Sequence, residues 1–199
     1  MDENVIAAMA RWPDVPAVYG WLSLTIHGQW RLHPDGDALG PTDNPGGESI
    51  TSPQILKFID RNYTSDARGQ WFFQNGPQKV YVRLDGAPYI LHTESEGDGG
   101  QTALRTHNGL AVATVSEWWL DDNGRLYART PHGPALIAGR DLAAVLAGLR
   151  TRSGDALLNV LEGQLGSDKP VELDTGTLSF CRAAELSACL GFISRPTPD

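Results

Sequence analysis

The sequence predicts an α+β fold of repeated antiparallel β-hairpin and helix units, forming two similar packed subdomains. Three observations carry that prediction. Short strand-like stretches end in glycine-bearing turns, as in Trp118-Trp119-Leu120 followed by Asp121-Asp122-Asn123-Gly124. Amphipathic helical stretches separate them, clearest over residues 50–62. The tripeptide Gly-Gln-Trp recurs, at 28–30 and 69–71.

In chain order, residues 1–11 predict a short amphipathic helix with Val5, Ile6 and Met9 on one face. It should stop before Trp12-Pro13, because proline disfavours the helical conformation in its predecessor. Residues 19–24 predict a strand with Tyr19, Trp21 and Ser23 on one side, returning through Gly28 into 29–32. Three prolines and four glycines make 33–48 a loop. Over 50–62, Thr51 or Ser52 caps a helix, Pro53 suits its first turn, and Ile55, Leu56, Phe58 and Ile59 form an apolar stripe. After a polar turn at 66–69, residues 70–73 and 79–84 predict a hairpin about Asn75-Gly76-Pro77. Residues 88–91 predict another strand, 94–100 an acidic, glycine-rich hairpin tip, and 104–106 and 110–115 weaker strands. Asn123-Gly124 supplies the positive φ angles of a tight turn between 118–120 and 125–127. Helices over 141–149 and 156–165 break near Ser153-Gly154; strands at 171–173 and 178–180 close a hairpin; a short helix at 183–190 ends at Gly191.

The turn at Gly124 stands to Trp119-Leu120 as the turn at Gly28 stands to Trp21-Leu22. Each is followed by an isoleucine and, eight residues on, an apolar helix position: Ile50 with Phe58, Ile137 with Val145. This internal repeat implies a hairpin covered by a helix, twice over, with subdomains at 1–93 and 94–199.

The pieces Gly28-Gln29-Trp30, 55–59, 71–73, 80–89 and 134–142 fall in order between residues 28 and 162. Together they resemble an uncharacterised proteobacterial domain-of-unknown-function family with repeated β-hairpin and helix motifs. The resemblance implies a two-part protein without an established activity, for which a regulatory or signalling role is the expectation. It brings over no catalytic residue. The chain departs from the family's pattern in its proline-rich stretch at 34–47, at Gly86 and in its last fifty residues.

Composition narrows the function. With 24 acidic and 16 basic residues the net charge is −8, a field that repels polyanions and argues against nucleic acid and anionic membrane surfaces as partners. No stretch reaches the roughly 18 apolar residues of a membrane span. Two cysteines, Cys181 and Cys189, suit a reducing compartment and the role of buried structural thiols, so the expected location is cytoplasmic.

No motif points to catalytic, cofactor-binding or metal-ligating residues. His27, His33, His92, His107 and His132 lack metal-ligand spacing and fall where exposed histidines are ordinary. The serines stand in no Gly-x-Ser-x-Gly elbow. Six tryptophans remain the unusual feature, and adjacent Trp118 and Trp119 point to opposite faces of a strand, so one of them should be exposed. The expected function is a non-catalytic interaction or regulatory module that binds a protein partner or itself. Its candidate surface is Trp118, Trp119, Arg83 and His92. The alternative is an enzyme or small-ligand sensor with Arg83, His92, Glu94 and Asp121 at the mouth of a site between the halves.

Overall fold

The computed structural model describes residues 1–41, 46–95, 102–163 and 169–198. They form an α+β fold in two compact units, Met1–Gly86 with Phe192–Asp199, and Ala87–Gly191.

The first unit opens with α1 (Glu3–Arg11), which ends where Pro13 requires. A sheet follows, of β1 (Val18–Leu24), β2 (Trp30–Leu32), β3 (Glu48–Ser49), β4 (Tyr63–Ser65), β5 (Trp71–Asn75) and β6 (Gln78–Leu84), with α2 (Pro53–Arg61) between β3 and β4. Its order is β3-β2-β1-β6-β5-β4, antiparallel except where β1 meets β6. Alternation along the strands sets Leu22, Leu24, Trp30, Val82, Leu84 and Phe73 on one face. There α2 packs, Phe58 edge-on to Phe73 at 5.5 Å and the Trp30 indole donating to Asp60 Oδ1 at 3.1 Å. The opposite face carries Ser23 between Arg31 and Arg83. A register irregularity in β1 centres on Gly20, whose φ is +83° and where any Cβ would collide with the Gly36 carbonyl oxygen.

The second unit holds β7 (Tyr89–Ser95), β8 (Thr102–Thr106), β9 (Ala111–Val112), β10 (Glu117–Asp121), β11 (Leu126–Thr130), β12 (Gly133–Ile137), α3 (Leu142–Gly148), α4 (Leu157–Gly163), β13 (Val171–Leu173), β14 (Gly176–Cys181) and α5 (Leu186–Leu190). Its sheet order is β13-β14-β10-β11-β12-β7-β8-β9. The block β12-β11-β10-β14-β13 repeats β3-β2-β1-β6-β5. In chain order, the first strand of each (β1, β10) is antiparallel to the second (β2, β11) and parallel to the last (β6, β14). In each, a helical connection runs from the third strand to the far edge, with one helix in the first unit and two in the second.

The repeated glycine marks one turn used five times among the described residues, at 25–29, 66–70, 106–110, 121–125 and 151–155. The first residue's N–H donates to the fifth carbonyl and the fourth N–H to the first carbonyl. A Thr or Asp side chain in first place accepts the N–H of the fifth. Glycine in fourth place takes φ between 73° and 91°, the left-handed region that makes a G1-type bulge inexpensive.

The sequence placed the division between 93 and 94. The structure places it after Gly86, because β7 pairs with β12 and β8. Residues 192–198 return to the first unit through Ile193 N–H to Gly69 O and Leu84 N–H to Ser194 O. Long-range pairing decides both points, and no local signal reports it. Strands β4 and β12 were also unanticipated, the latter because Gly133-Pro134 opens it. Most of the acidic tip at 94–100 lies outside the described residues; β7 and β8 lead into and out of it.

Candidate functional site

Of the four residues expected to form a contact surface, Trp118 and Arg83 are buried. Trp118 is buried and its indole N–H has no partner among the described residues. Trp119 is half-buried, its indole N–H donating to Glu117 Oε2 at 3.4 Å. Arg83 is buried on the sheet of the first unit, donating to Ala38 O at 2.6 Å and Asp85 Oδ1 at 2.8 Å. His92, in the second unit, meets Asp141 Oδ2 at 3.3 Å beside Arg140. Burial raises the Asp141 carboxyl, but hydrogen bonds from Thr93, His92 and Arg140 outweigh it and hold the group below the usual carboxylate range. Alternation along β10 sets the two indoles on opposite faces, and only Trp118 is fully buried. The exposed indoles are Trp12 and Trp21, at 50% and 43%.

The alternative set is occupied within its own units. Glu94 pairs with exposed Arg105 at 2.8 Å, and buried Asp121 caps the turn at 121–125. Among the described residues, no three of His, Cys, Asp and Glu gather as a metal site requires. No helix among them is long and apolar enough to cross a membrane.

One constellation escaped the sequence. Ser23 Oγ lies 2.9 Å from His33 Nε2, and His33 Nδ1 lies 3.1 Å from Asp37 Oδ1. This is the order of nucleophile, base and orienting carboxylate in a hydrolase triad. The surroundings deny it that chemistry. Ser23 is 0% exposed and sits in β1 between β2 and β6, so its hydroxyl is closed off from a substrate carbonyl. Gly47 packs so close that a Cβ there would stand 2.8 Å from His33 Nε2. Ser23 and His33 are buried and Asp37 is exposed; together they form a polar clamp fixing the segment after β2 to the sheet. Alternation of Ser23 and His33 on paired strands was the available signal, but only a known register reveals it.

The feature that best fits a binding site is a groove in the first unit, between α2 and the apolar sheet face, with about 550 Å³ of room. Leu22, Val80 and Phe73 floor it, Ile59 walls it, and Asn75 and Gln78 contribute amides. Trp21, Leu32 and Ile55 edge it, 43%, 41% and 51% exposed. The cause is dimensional. Nine residues of helix span about 13 Å and one helix is about 10–12 Å wide, whereas six strands extend across roughly 24 Å. One helix cannot cover such a face.

A model of a family described as "Protein of unknown function (DUF2946)", DUF2944, matches residues 1–197. Among solved structures, a DUF1285 family protein from Silicibacter pomeroyi DSS-3 is similar at 15% identity and a TM-score of 0.53, over 94% of this chain and 99% of that one. A DUF1285 family protein from Shewanella baltica OS155 matches at 15% identity and a TM-score of 0.43, over 63% of this chain and 90% of that one. The first likeness shows the fold. No curated protein matches.

Proposed function

The chain belongs to this family of proteins of unknown function, and from that premise we propose that it is a non-catalytic, cytoplasmic interaction module. It holds an amphipathic helix of a protein partner in the groove beside α2. The observation that carries the reading is the cluster of three large, exposed apolar side chains, Trp21, Leu32 and Ile55, around one apolar trough. Such patches mark interaction sites, because leaving them in water is unfavourable.

The internal repeat supports a helix as the occupant. Leu32, four residues after the turn glycine Gly28, is 41% exposed, while its counterpart Ala128, four after Gly124, is 0% exposed. The unit that buries this position carries two helices in the corresponding connection, and the unit that exposes it carries one. A helix presenting apolar residues at i, i+3/i+4 and i+7 suits a trough of this kind. Among the described residues its walls offer two neutral amides and no charged side chain, which disfavours an ionic small molecule.

A display library of helical peptides, selected on the full chain, tests the reading. The expected result is enrichment of amphipathic sequences whose binding is lost in Ile55→Lys and Trp21→Glu and kept in Trp12→Ala. Enrichment unaffected by the groove variants would overturn it. So would a homodimer that Ile55→Lys dissolves, or saturation of the groove by small apolar molecules without any peptide binding.

A further inference from the structure

We propose that Asn75 is a site of spontaneous deamidation in the folded chain, and that its conversion to a carboxylate weakens the groove's hold on an apolar helix. Asparagine followed by glycine is the pair most open to this reaction, because no Cβ hinders the approach of the glycine nitrogen to the side-chain amide. The chain holds three such pairs, at 75–76, 108–109 and 123–124. The fold treats them differently. Gly109 N–H donates to Thr106 O at 2.9 Å and Gly124 N–H to Asp121 O at 3.0 Å, each inside the five-residue turn. Their asparagines are held as well, Asn108 Oδ1 accepting the Thr106 hydroxyl and Asn123 N–H donating to Asp121 Oδ1. Gly76 lies instead in a two-residue turn with Pro77, between paired Asn75 and Gln78, at a φ of 59°. This is the type II′ pattern, whose closing bonds join the flanking residues and leave out the first central N–H. Gly76 N–H accordingly has no hydrogen-bond partner among the described residues. Asn75 is exposed, and a Cβ at Gly76 would meet nothing within 4 Å, so the turn has room for a ring.

The Gly76 nitrogen gives up its proton to water and attacks Asn75 Cγ. The new C–N bond expels the side-chain nitrogen, which takes up a proton and leaves as ammonia, and a cyclic imide remains. Water then opens the ring. Cleavage at Cγ returns an ordinary aspartate; cleavage at the main-chain carbonyl gives an isoaspartate, with an extra methylene in the backbone. One amide and one water become one carboxylic acid and one ammonia, and nothing is oxidised or reduced. Either product places a carboxylate among the groove residues Phe73, Gln78 and Val80. The isoaspartate also lengthens the backbone where Asn75 pairs with Gln78. The chemical step stands on the turn alone, and its effect on binding rests on the groove's reading as a helix site.

The test ages the full chain in mildly alkaline buffer, folded and in urea, and follows each asparagine by proteolysis and tandem mass spectrometry. Folded, Asn75 should convert at least about tenfold faster than Asn108 or Asn123, which must first break their turn hydrogen bonds. In urea the three rates should converge. Comparable rates in the folded chain, or fastest conversion at Asn108 or Asn123, would overturn the proposal. In a second arm, Asn75→Asp should weaken a helical peptide selected on the full chain at least about threefold, because a helix seated there strips water from the charge. Asn123→Asp, of the same net charge, should bind as the unaltered chain does. Unchanged affinity in Asn75→Asp, with binding lost in Ile55→Lys, would defeat the proposal and spare the groove. A peptide indifferent to Ile55→Lys as well would refute the groove reading, and the second half of the proposal with it.

Discussion

Ile55 and Ile59 stand one turn apart on α2 and both line the groove, yet the account gives them opposite roles. Ile59 is 2% exposed and supports the fold; Ile55 is 51% exposed and supports binding. Replacing Ile59 with alanine removes buried methyl groups and leaves a gap, a change that typically costs 2–5 kcal/mol. Because the open groove lets water reach the vacated space, the lower half of that range is expected, about 2–3 kcal/mol. Full burial of an isoleucine contributes roughly 1.5–3 kcal/mol, so half-burial of Ile55 contributes about 1 kcal/mol. In Ile55→Lys the aliphatic stem retains part of that, leaving a loss below about 1 kcal/mol. In binding the order reverses. Ile55→Lys puts an ammonium where an apolar anchor should sit, and loss of an interface anchor typically costs about 2 kcal/mol or more, near thirtyfold in affinity. Native-state hydrogen exchange of β1, β5 and α2 reports the stabilities, and fluorescence anisotropy of a selected helical peptide reports the affinities. An Ile55→Lys variant as unstable as Ile59→Ala, or one that binds the peptide normally, would refute the reasoning.

Further outcomes follow from the same structure. Ser23 should stay unmodified by a fluorophosphonate probe in the folded chain; labelling that disappears in His33→Ala would make the clamp a nucleophilic site. His107 accepts the Ile90 N–H through Nδ1 at 3.3 Å, and burial, with His92 nearby, pushes its imidazole down to about 3 from an ordinary 6.5. The unfolded chain thus takes the proton first, so stability is complete above about pH 6.5 and declines as pH falls toward 3. Urea unfolding should lose about 1–2 kcal/mol between pH 7 and 5 on this account, and His107→Gln should flatten that decline. Gly20→Ala forces both a positive φ and a collision with Gly36 O, and should cost about 3 kcal/mol or more in thermal or urea unfolding.

Local chemistry made much of the fold legible in sequence. Proline at 13 and 53 bounded two helices, and the glycine turns announced the hairpins and the repeat, because those residues act on their own backbone. What stayed hidden depended on pairing between distant segments. The parallel contacts of β1 with β6 and β10 with β14 join strands 50 or more residues apart. The chemistry of Trp118, Trp119 and Arg83 suits a contact surface, but Trp118 and Arg83 are buried, Arg83 against the segment around Ala38. The helix stripe 55–59 was visible as an apolar stripe; that Ile55 would overhang an uncovered sheet face required knowing how wide the sheet is.

Hydrogen–deuterium exchange of the full chain, with and without a saturating selected helical peptide, tests the central claim most directly. The account predicts new protection concentrated in β1, β2 and the first turns of α2, where Trp21, Leu32 and Ile55 stand. Protection appearing in β10–β14 of the second unit with the groove unchanged would contradict it.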